Sequence, residues 1–402
     1  MDGYLGMRRI DGLNDMARSQ FWKVAICTVS TTRKYRVLNT ALSPAARAVV
    51  AAVANLPLLD GLLHTYSTQS ATPRTMTAEP KKAWPREGYR PEWLALEDAS
   101  GGRYVMTGDW AVDVPTYDAV FAGLAKQWPP LSEELKVWDE QTDSQHGNLP
   151  VRIYKPASDK SLPLMIYFPG GGFIAGNLDT EDAHCRIFAA KVPCLVISVN
   201  YPKVPKVKLD DIINLASQAV PWCRNRAKEL GDDPSNTLVC GGSAGAMLAA
   251  EVAYRFMAEG DHTSITGCVL LFAVTLSWKY NGKYKHMYTS WEDNGHAGVP
   301  VFGQKLAEFM WSHFDLDFDS PRHLIGLADD LSKFPPCYIV NAEKDCFRDD
   351  AVVLDYRLKE SGVKSKLDYY EGLPHYFHAF PSLAVAHEMM ERAVEGARFV
   401  LG

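Results

Sequence analysis

Residues 238–247 read LVCGGSAGAM and place Ser243 inside a Gly-x-Ser-x-Gly pattern, after an apolar strand-like run and before the helix-forming run AMLAAEVAYRFM. A serine at such a strand-to-helix turn projects its hydroxyl, and small flanking residues leave room for the strained backbone path. That context favours a nucleophile over a structural turn serine. A serine hydroxyl is inert until a base takes its proton, so a carboxylate and then a histidine are expected further along the chain. Asp345 follows the run CYIVNAEK, and His375 follows KLDYY through the loop EGLP. Both lie past strand ends, the edge at which open α/β sheets collect their sites. His378 competes with His375, as do His184, His286, His296, His313 and His323, while Asp349 competes with Asp345.

A second glycine-rich stretch, FPGGGF at 168–173, follows another buried-strand run. Three bare glycines allow close backbone approach to a phosphate or an oxyanion, or simply make a tight turn. The serine decides among these. An acyl-transfer nucleophile needs N–H donors aimed at the oxyanion, each worth several kcal/mol of barrier. Gly171 and Gly172 supply two, and Ala244, at a helix N-terminus after the serine, supplies a third. A phosphate loop would need a downstream Lys-Ser/Thr or a G-x-G-x-x-G frame, and neither occurs.

Positioning these groups takes alternating strands and helices, and from about residue 131 the chain has them. Strands are expected at 135–138, 151–154, 164–168, 194–199, 237–240, 268–273, 337–342 and 366–370, the first two as a hairpin. Helical patterns lie at 212–230, 244–257, 304–313 and 351–361, with Asp349 and Asp350 as N-terminal caps of the last. The expected fold class is α/β, a mostly parallel sheet covered by helices. Residues 131–402 form its core. Residues 1–130 carry five tryptophans (Trp22, Trp84, Trp93, Trp110, Trp128) but no periodic core, so they read as a covering layer rather than an independent domain.

Composition excludes several classes. A net charge of −6 over 402 residues offers no reservoir of positive charge for nucleic acid. Eight scattered cysteines without a C-x-x-C pair read as core thiols rather than a disulfide framework or metal site. The N-terminus has no apolar leader core, which points to a cytoplasmic protein. The apolar segment at 45–63 is interrupted by Arg47, Asn55, Pro57 and Asp60, so it reads as an amphipathic or buried helix and not a membrane span.

Over residues 135–402 the ordered motifs PGGGF, NLDTEDAHCR, VISVNYPKVPKVKLDD, GDDPSNTLVCGGSAGAM, DDLSKFPPCYIVNAEKDCFRDDA and YYEGLPHYFHAF resemble the hormone-sensitive-lipase-like esterases of the α/β-hydrolase superfamily. The resemblance implies a sheet of about eight strands under an N-terminal helical cap, with no metal or organic cofactor. It assigns the acid to Asp345 in DCFRD and the base to His375 in HYF. It also implies a small apolar ester or thioester substrate. Similar fungal enzymes often act in secondary metabolism. Three stretches depart from the family's pattern: Pro169 replaces the histidine of H-G-G-G, GGSAGA stands for G-D-S-A-G-G, and NYPKVPK for D-Y-R-L-A-P-E. The lost histidine normally holds the glycine loop by hydrogen bonds, so stiffness from Pro169 is expected to hold it instead.

Three functions are compatible with these residues. Ester hydrolysis through Ser243 leads. The altered loops are also compatible with acyl transfer, elimination or cyclisation on a specialised metabolite. A non-catalytic ligand-binding relative is disfavoured because serine, acid and histidine are all present. A loop at 277–300 carrying Trp278, Tyr280, Tyr284, Met287, Tyr288 and Trp291 is either a substrate wall or the packing seam between cap and core.

Overall fold

The segments PLMIYF, LVISV and GCVLL are continuous apolar runs, which suit parallel strands covered on both faces. In the computed structural model they are β3 (Pro163–Phe168), β4 (Leu195–Val199) and β6 (Gly267–Leu271), and almost every residue in them is buried. With β1 (Leu135–Gln141), β2 (Pro150–Pro156), β5 (Asp233–Gly242), β7 (Cys337–Lys344) and β8 (Ser365–Pro374) they form one eight-stranded sheet in the order β1-β2-β4-β3-β5-β6-β7-β8. The strands from β3 to β8 pair in parallel, whereas β2 runs antiparallel to both β1 and β4. All eight expected strands are present, and the first two form the expected antiparallel pair. The structure describes residues 85–402 except 104–108, 132–133 and 297–298, and only the backbone at 304–305. The segment at 45–63, Trp22, Trp84 and Cys27 lie outside the described residues.

Helices α1 (Pro91–Ala99) and α2 (Trp110–Ala125) precede the sheet, followed by α3 (Asp182–Lys191), α4 (Leu209–Glu229), α5 (Ala244–Ala258), α6 (Ser290–Asn294), α7 (Gln304–Trp311), α8 (Arg348–Glu360) and α9 (Ala384–Leu401). Helix α3 packs on β2 and β4, α5 on β5 and β6, α8 on β7 and β8, and α9 on β6 and β7. Ala78–Gly402 forms one compact unit, in which Trp93 of α1 and Phe121 of α2 belong to the same hydrophobic core as the sheet. The seven described cysteines are all buried.

The capping expectation for Asp349 and Asp350 is corrected. Phe347 occupies the N-cap of α8 without a side-chain cap, and both aspartates lie inside the first turn. Their carboxylates hold the 275–290 loop instead of capping the helix. Asp350 Oδ1 accepts the N–H groups of Thr275 at 2.8 Å and Leu276 at 2.7 Å, and Asp349 Oδ2 accepts those of Thr289 at 2.6 Å and Ser290 at 2.7 Å. Distant backbone donors, invisible to a local pattern, outcompete the helix terminus.

Candidate active site

Strand β5 ends at Gly242 and α5 begins at Ala244, which leaves Ser243 alone at the turn with φ 53° and ψ −117°. This backbone region costs a side-chain-bearing residue on the order of 1–3 kcal/mol, so the surroundings must over-determine it. The Ser243 N–H donates to the Leu271 carbonyl at 2.8 Å, and the Ser243 carbonyl accepts from Met247 N–H at 2.9 Å. Gly241 and Gly245 permit the path. A Cβ at Gly245 would run into the Phe168 carbonyl, and one at Gly241 into the backbone of Gly245.

Ser243, Asp345 and His375 each follow the last residue of a strand, β5, β7 and β8 respectively. Parallel strands put those ends on one edge, so residues far apart in sequence meet there. Ser243 Oγ lies 2.7 Å from His375 Nε2, and His375 Nδ1 lies 2.6 Å from Asp345 Oδ2. The other carboxylate oxygen accepts the Phe347 N–H at 2.8 Å. With Nδ1–H donated to the carboxylate, Nε2 is left as the acceptor for the serine hydroxyl, a tautomer assigned from the network. All three side chains are buried.

Beside Ser243 lies a narrow cleft lined by Gly171, Gly172, His375, Tyr117, Phe302 and Met310 among others. Gly171 takes φ 120° and Gly172 φ 61°, conformations that favour glycine. The N–H of Ala244, the first residue of α5, has no acceptor within its own helix. Against expectation, hydrogen bonds hold the loop in addition to proline. The Tyr201 hydroxyl donates to the Pro169 carbonyl at 2.6 Å, and Gly170 N–H donates to Glu181 Oε1 at 2.6 Å.

The competing groups lie elsewhere. His184 and His378 stack on each other at 4.6 Å, both buried, and desolvation depresses the pKa of each, to about 4 for His184. His323 bonds Asp210 and His313 packs on Trp110, while Asp349 holds the 275–290 loop. The 277–300 aromatics pack on other core residues, Trp311, Phe318, Phe347 and Tyr356, and on one another, so among the described residues they make no aromatic contact with the cap. Trp278 stacks on Trp311 at 4.1 Å, Trp291 meets Phe347 edge-on at 5.4 Å, and none of the six lines the cleft. Sequence reading missed Tyr117, Phe302 and Met310 as cleft walls and Glu181 as a loop anchor. Glu181 sits inside the motif NLDTEDAHCR, where a carboxylate just before a helix reads as an ordinary terminus residue.

A family model described as the alpha/beta hydrolase fold matches residues 165–379. A versiconal hemiacetal acetate esterase of Dothistroma septosporum is 32% identical over 317 residues, covering 78% of this chain and 95% of its own. Esterase LipI of Mycobacterium tuberculosis is 30% identical over 280 residues, 68% of this chain and 84% of that one. Among solved structures, an alpha/beta hydrolase enzyme from the metagenome of Lake Arreo, Spain, is similar with a TM-score of 0.68 and 27% identity, over 77% of this chain and 98% of its own. Among the described residues, no helix is long and apolar enough to cross a membrane. These relatives make the chain a carboxylesterase-like hydrolase, and with a matching fold, family model and relatives, it belongs to the α/β-hydrolase family, in its hormone-sensitive-lipase-like branch.

Proposed function

We propose that this protein hydrolyses a short-chain carboxylic ester or thioester of an apolar alcohol or thiol through an acyl-enzyme on Ser243. His375 Nε2 takes the Oγ proton as Oγ attacks the substrate carbonyl, and the Gly171, Gly172 and Ala244 N–H groups receive the oxyanion. Losing one such donor typically costs about 3 kcal/mol of barrier. The same imidazolium protonates the leaving group, then as imidazole accepts a proton from the water that releases the acid. Asp345 holds the Nδ1–H and favours the imidazolium. The observation that carries this reading is the unbroken Ser243–His375–Asp345 chain at 2.7 and 2.6 Å beside the glycine loop.

The cleft supports a small acyl group. A Cβ at Gly172 would run into the Met310 thioether methyl, so Met310 already lies against the loop, and Tyr117 and Phe302 close the walls. The acetate ester in the Dothistroma relative's name suits the same reading, as does an intermediate of secondary metabolism as the physiological substrate.

Ser243→Ala is expected to lower kcat on p-nitrophenyl acetate by on the order of 10⁶-fold, and a fluorophosphonate to label the wild-type protein but not the variant. Full turnover by Ser243→Ala would overturn the mechanism. Labelled oxygen from water entering the product acid separates hydrolysis from acyl transfer.

A further inference from the structure

One buried carboxyl group touches the glycine loop, the serine strand's neighbour and the histidine turn, yet has no part in the acyl-transfer cycle. Glu181, immediately before α3, is 2% exposed. Its Oε1 accepts the Gly170 N–H at 2.6 Å and also the Tyr376 hydroxyl, while Oε2 accepts the Tyr167 hydroxyl. Gly170 leads directly into Gly171 and Gly172, Tyr376 directly follows His375, and Tyr167 lies on β3. All three partners donate, which matches an ionised carboxylate, an acceptor only. Burial raises the carboxyl pKa, while the hydrogen bonds from Tyr167, Tyr376 and Gly170 oppose that rise.

The Tyr376 hydroxyl is also a spacer. A Cβ on Gly170 or on Gly242 would lie 2.5 Å from it, so the hydroxyl is fitted between the glycine loop and the residue before Ser243. Tyr376 itself takes φ 61°, an unfavourable backbone for a bulky residue. One carboxylate thereby bonds the donor loop, β3 and the histidine turn together, and the Tyr376 hydroxyl it holds lies against Gly242, the residue before Ser243.

We propose that Glu181, acting through Gly170 and Tyr376, is the positioning residue that sets the oxyanion loop against Ser243, in the role that the resembling esterases give to the histidine ahead of their glycines. The inference rests on the Ser243 mechanism above. Oxyanion donors work at 2.7–3.1 Å from the developing charge. A released loop therefore loses transition-state binding while ground-state binding of the substrate changes little.

The test compares wild type with Glu181→Ala, Glu181→Gln and Tyr376→Phe, using p-nitrophenyl acetate and a trifluoromethyl ketone. Ser243 Oγ adds reversibly to the ketone carbonyl while its proton passes to His375, which leaves a charged oxygen in the oxyanion site. Glu181→Ala is expected to lower kcat by about 10²-fold with KM nearly unchanged, the scale of an ångström misplacement. The ketone Ki should rise by the same factor. Glu181→Gln keeps an acceptor for Gly170 and should recover kcat to within about tenfold of wild type. A folded Glu181→Ala that loses only thermal stability, or loses kcat with Ki unchanged, overturns the proposal. If Glu181→Ala does not fold, Tyr376→Phe decides: a matched change in kcat and Ki supports the clasp, and no change in either overturns it. Failure of fluorophosphonate to label wild type would instead overturn the underlying mechanism.

Discussion

A proline ahead of three glycines removes an N–H and fixes one φ, but Pro169 also presents its carbonyl to the Tyr201 hydroxyl at 2.6 Å. Any residue at 169 keeps that carbonyl. Pro169→Ala is therefore expected to change kcat by less than about threefold and to lower stability by roughly 0.4–1 kcal/mol through the unfolded chain alone. Steady-state kinetics and thermal melts check both halves, and a kcat loss above tenfold would show that the ring itself sets the loop. Met310 bears on specificity. Met310→Ala removes the thioether from above Gly172, and the preferred acyl chain should lengthen by two or more carbons at about 0.8 kcal/mol of burial per methylene. A chain-length series of p-nitrophenyl esters measures the shift. At this scale Ser243, Asp345 and His375 were legible because each lies in a motif at a strand end. Glu181 was not, since its three donors come from β3, the glycine loop and the histidine turn, and only the folded chain assembles them.

Among the elements, the eight strands were legible because apolar runs buried on both faces have no other good explanation in an alternating chain. Helices α1 and α2 were not, as α2 (WAVDVPTYDAVFAGLA) carries Pro115 and an unclear apolar stripe. The start of α8 was misread for a reason that has a pH consequence. Asp350 is completely buried, and desolvation pushes its pKa up to about 7 despite the donors of Leu276, Thr275 and Tyr288. An unfolded aspartate titrates near about 3.9. Between these values the folded chain holds a proton that the unfolded chain has released. This contribution to stability is complete below the lower value, declines by up to about 1.4 kcal/mol per pH unit, and is lost above the upper one. Asp350→Asn keeps an oxygen for the two N–H groups and does not titrate. The variant should thus gain stability relative to wild type as pH rises from 4 to 8. Melting curves of the pair at several pH values check this, and a constant difference would mean that Asp350 is ionised throughout.

For the molecule as a whole, the question is whether the sheet stands without the chain that precedes it. Trp93 of α1 meets Phe380 edge-on at 5.3 Å, and Phe121 of α2 stacks on Tyr117 at 4.1 Å and meets Tyr376 edge-on at 6.1 Å. Asp118 of α2 accepts the Gly176 N–H at 2.8 Å, three residues past Phe173 of the glycine stretch. These helices therefore bury core aromatics and touch the same loop and histidine turn on which the proposed chemistry depends. Burying each aromatic contributes about 1.5–3 kcal/mol, and three together rival the whole margin of roughly 5–15 kcal/mol by which a protein is folded. We expect a chain of residues 131–402 alone to lack a cooperative melt and to show no esterase activity, as a covering layer integral to the core requires. The measurements are calorimetry and turnover of p-nitrophenyl acetate. A cooperative transition near that of the full chain would instead make the preceding residues a separable domain, and activity retained in the same species would free the oxyanion loop from dependence on α2.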